Sequence, residues 1–127
     1  MCFTEIRSSR DLTIEHAGPI PVELRPLVGN RVFGCDDCLA ACPWNRFAAT
    51  GRLMREHARA ELAAPDLVEL LRRDDAGFKQ RFAGTPLLRA KRRGLLRNVC
   101  VALGNVGDAS TLPALQRAAS DAEPLVA

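Results

Sequence analysis

The sequence has 127 residues, about one domain's worth, with 47% hydrophobic, 26% charged and 5% aromatic side chains. That composition excludes an overtly disordered chain, and no apolar run approaches the ~20 residues a membrane helix needs. The start, Met1-Cys2-Phe3-Thr4-Glu5-Ile6-Arg7, lacks the apolar core of a secretory signal, so a cytoplasmic chain without a membrane partner is expected. The net charge of +3 is unevenly spread. Residues 71–100 carry nine basic and two acidic side chains, net +7, while the remaining residues sum to −4. A basic block on an otherwise acidic chain fits a polyanion surface and fits a solvated helix face equally well.

Residues 1–30 are rich in loop signals. Leu12-Thr13-Ile14-Glu15 suits a short strand or a turn, and Gly18-Pro19-Ile20-Pro21 breaks the chain. Pro21 suits the first turn of a short helix through Glu23, Leu24 and Leu27, stopped by Gly29-Asn30. Asp37 is placed to cap a short helix from Cys38 to Cys42 that Pro43 ends. From about Arg55 the pattern is helical throughout. A helix opened by Ala64-Pro65-Asp66 carries Leu67, Leu70 and Leu71, with Arg72-Arg73 in its last turn, the favourable sign there. A second spans Asp75 to Phe82. After Gly84-Thr85-Pro86 a long helix is expected from Leu88 to Leu103, with Leu95, Leu96, Val99, Cys100 and Leu103 at helical spacing. Gly104-Asn105 is read as its cap and Gly107-Asp108 as a turn. A last helix from Thr111 to Ala119 carries Leu112, Leu115 and Ala118. The last two helices form a hairpin resembling one HEAT-type repeat, and Asp121 to Val126 looks like the opening of another. One such hairpin does not bury its apolar face alone, and about three are usual, so a cut C-terminus is expected.

The most informative run is Gly34-Cys35-Asp36-Asp37-Cys38-Leu39-Ala40-Ala41-Cys42-Pro43-Trp44-Asn45. It spells C-x2-C-x3-C-P, the later part of the ferredoxin pattern C-x2-C-x2-C-x3-C-P that wraps iron–sulfur clusters. The pattern's first cysteine would fall at Val32. Thiolates at Cys35, Cys38 and Cys42 therefore point first to a [4Fe–4S] cluster. By the ferredoxin rule Cys35 and Cys38 serve one cluster and Cys42, before the proline, the neighbouring one. A tetrahedral zinc site completed by His57, His16 or Cys2 is the chemical rival, followed by a C-x-x-C thiol redox pair and by inert buried thiols. The redox pair wants an α/β frame that this helical pattern lacks. Cys100 lies on an apolar helix face, where a free thiol packs as a small hydrophobe. Cys2 is an unplaced terminal thiol. His16 and His57 have no partner at ligand spacing, and Trp44 is expected to shield the site or anchor a core.

The fold class is thus mainly α: a ferredoxin-like iron–sulfur loop region at 1–50, a helical linker at 51–86 and a truncated HEAT-like repeat at 87–127.

Longer stretches resemble a known family. Leu12-Thr13-Ile14-Glu15-His16, Gly18-Pro19-Ile20-Pro21, Leu24-Arg25-Pro26, Gly29-Asn30-Arg31, Gly34-Cys35-Asp36-Asp37-Cys38 and Cys42-Pro43-Trp44-Asn45-Arg46-Phe47-Ala48 look like the iron–sulfur region of epoxyqueuosine reductases. Gly84-Thr85-Pro86-Leu87, Arg97-Asn98 and Ala102-Leu103-Gly104-Asn105 with Gly107-Asp108 look like the start of that family's C-terminal HEAT-like domain. The resemblance implies an oxidoreductase that reduces epoxyqueuosine to queuosine in the anticodon of a tRNA. Cobalamin performs the reduction there, and two [4Fe–4S] clusters feed it electrons. It implies that Cys35 and Cys38 ligate the cluster nearer the cobalamin and Cys42 the other, and that Arg89, Lys91, Arg92, Arg93 and Arg97 contact tRNA phosphates. The family's cobalamin-binding domain and upstream C-x2-C-x2-C-x3-C-P run have no counterpart here, and Ser8-Ser9-Arg10-Asp11 stands where a further ligand cysteine is expected. A fragment or truncated copy is therefore expected, with the missing cysteines supplied by another chain or domain. A non-enzymatic helical module binding RNA or protein through a zinc knot and an inactive remnant are the competing readings.

Overall fold

The computed structural model describes residues 8–127, so Cys2 lies outside the described residues. The architecture is mainly helical, with no strand among the described residues. Two compact units result, one running to Cys35 and resuming at Leu67, the other spanning Asp36–Asp66. This grouping differs from divisions at 50 and 86, because side chains of the long C-terminal helix hold the segment before the cysteines.

In the first unit, Asp11–Glu15 is a single π-helical turn in which the His16 N–H donates to Asp11 O at 2.9 Å, which decides between strand and turn. A 3-10 turn at Val22–Leu24 leads into α1 (Arg25–Val28), and Gly29, at φ 61°, ends it. Later come α4 (Leu67–Leu70), α5 (Asp75–Phe82), α6 (Lys91–Val106) and α7 (Leu112–Ala118). Helix α4 is only four residues, so Arg72 and Arg73 follow its end rather than form its last turn. Helix α5 matches its sequence reading, and its cap is Asp74, whose Oδ1 accepts the Gly77 N–H at 2.7 Å.

Two boundaries of α6 move. The chain from Pro86 to Ala90 winds as a 3-10 segment, so the helix begins at Lys91 rather than Leu88. Gly104 and Asn105 do not cap it. The helix continues to Val106 and closes at Gly107, at φ 70°, whose N–H donates to Leu103 O. Asn105 instead donates from Nδ2 to Arg25 O at 2.7 Å and Gly29 O at 2.8 Å, tying α6 to both ends of α1.

The core sits around α6. Leu95, Leu96, Val99 and Leu103 are buried there, as the periodicity predicts; Ala102 joins them, while Cys100 is half-buried. Leu12, Ile20 and Val28 form a buried cluster with Leu24 and Val101 packed against it. Phe78 and Phe82 on α5 are buried, their ring centroids 5.0 Å apart. On the predicted face of α7, Ala118 is buried and Leu115 half-buried but Leu112 is exposed; Ala114 and, just before the helix, Thr111 are buried instead. Buried positions at i, i+3 and i+7 still make one stripe, built from small side chains that sequence hydrophobicity underweights.

The second unit contains α2 (Asp37–Ala40), a 3-10 turn at Pro43–Phe47, α3 (Arg52–His57) and a 3-10 turn at Ala60–Leu62. No residue from 36 to 66 is buried. The helix expected to run on from Arg55 is thus broken into short turns.

Candidate metal centre

Two left-handed residues frame Cys35: Gly34 at φ 66° and Asp36 at φ 53°. Glycine takes this conformation freely, and aspartate is among the few side chains that tolerate it. They bend the chain sharply on either side of the first thiol. Asp36, not Asp37, occupies the cap position of α2, and its side chain makes no capping hydrogen bond. Asp37 lies in the first turn instead. The turn is closed by the N–H groups of Ala40 and Ala41, which donate to Asp36 O and Asp37 O at 2.9 Å each.

Cys38 and Cys42 are one helical turn apart in sequence, and Cys42 N–H donates to Leu39 O at 3.1 Å. Cys42 itself is extended, and Pro43 opens the next turn rather than only closing the last. Asn45 fastens both flanks of Cys42. Its N–H donates to Cys42 O at 3.0 Å, and its side-chain Nδ2 donates to Leu39 O. Reading the cysteine spacing alone misses this role; the asparagine two residues after the Cys-Pro pair is the signal that carries it.

Among the described residues Trp44 neither anchors a core nor closes off the loop. It is 75% exposed and tilts against Phe47 with centroids 6.0 Å apart, while the Arg46 guanidinium lies 4.6 Å from the Phe47 ring centre.

Cys35, Cys38, Cys42 and Cys100 are all free thiols; Cys38 is exposed and the other three half-buried. Three free, accessible thiols at ferredoxin spacing fit thiolate ligation of iron in kind, and they number three of the four that one cluster takes. Among the described residues no group of three or more His, Cys, Asp or Glu side chains is already gathered around a metal position. The histidines weighed as further ligands are placed elsewhere. His16 Nε2 is 3.0 Å from Pro19 O, to which it donates when that nitrogen carries the proton, and His57 is exposed at the end of α3. Burial, reinforced by Asp121, pushes the Cys100 thiol up, so it stays protonated and packs as expected on α6.

The five basic candidates divide into structural and surface groups. Arg97 leaves the phosphate-contact set. It is 4% exposed, and its guanidinium donates to Leu12 O, His16 O, Gly18 O and Asn98 Oδ1 at 2.6–3.0 Å. Burial draws its pKa down to about 10, which leaves it charged at neutral pH. Arg92 is also committed: Nε donates to Arg73 O at 2.6 Å, and Nη1 and Nη2 donate to the two Asp121 oxygens at 3.3 and 2.8 Å. That hydrogen bond holds Arg92 up and Asp121 down relative to their ordinary values, against the opposing effect of burial. Arg89 reaches Glu15 at 2.8 Å in an exposed pair. Lys91 and Arg93 are exposed in the first turn of α6. Cations at a helix N-terminus oppose its dipole, and Lys91 also has a left-handed backbone, φ 59°.

Comparison with known proteins gives a consistent picture. A model of the 4Fe-4S double cluster binding domain family matches residues 1–45. The epoxyqueuosine reductase of Alicycliphilus denitrificans is 48% identical over 123 residues, covering 91% of this chain and 34% of that protein. The epoxyqueuosine reductase of Pseudomonas aeruginosa is 50% identical over 105 residues, covering 83% and 28%. In structure, an epoxyqueuosine reductase crystallised with an epoxyqueuosine-modified tRNA-Tyr stem loop superposes with a TM-score of 0.84 at 31% identity, covering 94% of this chain and 32% of that one. The Bacillus subtilis epoxyqueuosine reductase gives 0.82 at 33% identity, with the same coverage. The chain spans about a third of the length of these relatives.

Proposed function

The chain belongs to the epoxyqueuosine reductase family over the third or so of those proteins that it spans, and on that premise we propose that it is the iron–sulfur part of such an oxidoreductase. The observation that carries this is the match of residues 1–45 to a double-cluster domain, with all three clustered cysteines inside it. In this reading Cys35 and Cys38 supply thiolates to one [4Fe–4S] cluster and Cys42 to a second, and the remaining ligands come from another chain or domain. Bound clusters supply one-electron transfer, toward a cobalamin in the remainder of the longer proteins, for reduction of epoxyqueuosine to queuosine in tRNA. The protein's own part is to hold thiolates at fixed positions, through the left-handed residues around Cys35 and the Asn45 bonds around Cys42. The unburied stretch 36–66 is consistent with a segment ordered by what its cysteines bind. We read α6 and α7 as one HEAT-type hairpin, and the chain as cytoplasmic, where it meets tRNA.

Anaerobic reconstitution with iron and sulfide tests the reading. Broad absorbance near ~400 nm with iron and sulfide on the protein, lost together in the Cys35, Cys38 and Cys42 to Ser variants, is expected. Colourless, stoichiometric zinc would replace it with a structural metal site.

The relative crystallised with a tRNA stem loop supports tRNA as the partner, and we propose the anticodon region as the part it meets. Lys91 and Arg93, with Arg89 beside them, are the phosphate-binding side chains we propose. Lys91→Glu with Arg93→Glu should weaken tRNA binding and lower the slope of log affinity against log salt by about one for each phosphate no longer neutralised. An unchanged slope would remove these residues from the interface.

A further inference from the structure

The polar side chains inside α6 have a destination that their burial alone does not explain. Asn98 is fully buried, and its Nδ2 donates to Thr13 O at 2.6 Å and Val32 O at 2.9 Å. Its Oδ1 accepts two bonds from Arg97. Thr13 is also fully buried; its hydroxyl donates to Ser9 O at 2.8 Å and accepts the Gly34 N–H at 2.9 Å. Asn98 and Thr13 therefore hold the main chain at residues 32 and 34, immediately before Cys35. Gly34 is left-handed there, and a side chain added to it would meet Ile14 at 3.7 Å.

From these bonds we propose that Thr13 and Asn98 are positioning residues for Cys35: a buried polar clamp, based on α6, that sets the Cys35 backbone before any metal is bound. The inference rests on the reading of Cys35 as a cluster ligand. It follows from how buried polar groups behave. The half-buried Gly34 N–H donates to the Thr13 hydroxyl, which is itself wholly buried, so the bond opens to water only when this segment moves off Thr13. A thiolate carried on a fixed backbone loses little freedom on ligation, so ligand release is slow. Cys38 and Cys42 lie in a stretch with no buried residue, where the Asn45 bonds around Cys42 are exposed to water.

The test uses the whole chain. In the metal-free protein the Gly34 amide should exchange with deuterium at least about a hundredfold more slowly than the amides of Cys38 and Ala41, as a bond to a buried acceptor does against an exposed turn. Comparable exchange at Gly34 and at those turns would overturn the clamp without any substitution. Thr13→Val keeps the shape and removes the acceptor, while Thr13→Ser restores the hydroxyl. After anaerobic reconstitution, Thr13→Val should lose iron to a chelator about tenfold faster than wild type, with a shifted cluster reduction potential, and Thr13→Ser should match wild type in both. Equal rates and potentials in all three proteins would also overturn the proposal. Failure of the wild-type chain to take up iron would instead strike the ligand reading beneath it, whereas slow Gly34 exchange would still support the clamp.

Discussion

The two units of this chain hold their shape by different means. The unit built around α6 contains every buried residue among those described, with Val28, Val99 and Ala102 wholly excluded from solvent. The stretch Asp36–Asp66 contains none, and leaves Leu39, Trp44, Phe47, Leu53 and Met54 each at least 60% exposed. About thirty residues are too few to bury a sufficient core, and chains of that size lean on metals, disulfides or partners. The second stretch is where two of the three clustered cysteines lie. The comparison teaches that packing and exposure are divided along this chain: one part brings a packed scaffold, the other brings Cys38 and Cys42 among exposed apolar side chains.

The largest expected effect strikes the packed unit. Leu96, 1% exposed on α6, becomes a cavity in Leu96→Ala, at a cost of about 2–5 kcal/mol, read as a lowered urea midpoint in the metal-free chain. A loss below ~1 kcal/mol would contradict the assignment of the core to α6. Next comes the unburied stretch. Limited proteolysis of the metal-free chain should cut first between residues 36 and 66, and anaerobic loading with iron and sulfide should slow that cut about tenfold or more by mass action, leaving cleavage after residue 67 unaffected. Indifference to loading would break the division drawn here.

The smallest effect tests the ion pair behind α6. Asp121→Ala strips two acceptors from Arg92 and should cost about 1–3 kcal/mol at pH 7, by the same urea measurement. Arg92 and Asp121 are only 14% and 17% exposed, so solvent screens the pair less than a surface one. The pH dependence has a definite sign. The Asp121 carboxyl is held below its ordinary value of 3.8, chiefly by the Arg92 hydrogen bond. Its contribution is complete above that value and is lost as pH falls through the lower folded value. Wild type and Asp121→Ala should therefore begin to converge in stability only as pH falls below about 4, and meet once it passes the lower folded value.

Local signals in the sequence translate well where neighbours along the chain decide the outcome. Asp75–Phe82 is the helix that its spacing predicts, because capping and helical repeat act within a few residues. The cysteine run is legible for the same reason: thiol spacing is a property of the chain itself. The Gly104-Asn105 stop does not hold because Asn105 directs its amide to Arg25 O and Gly29 O, some eighty residues away. Leu112 faces outward because the small side chains at 111, 114 and 118 pack closer.

Arg97 and Lys91 draw the line most clearly. Composition and spacing determined a mainly helical chain with a thiol loop and a basic block, since each is written in consecutive residues. Nothing in the block distinguishes the guanidinium that satisfies carbonyls of Leu12, His16 and Gly18 from the ammonium left at the surface. Only the tertiary structure made that choice, because the acceptors that draw Arg97 inward are main-chain oxygens far away in sequence. A buried charge is tolerated only where such acceptors converge.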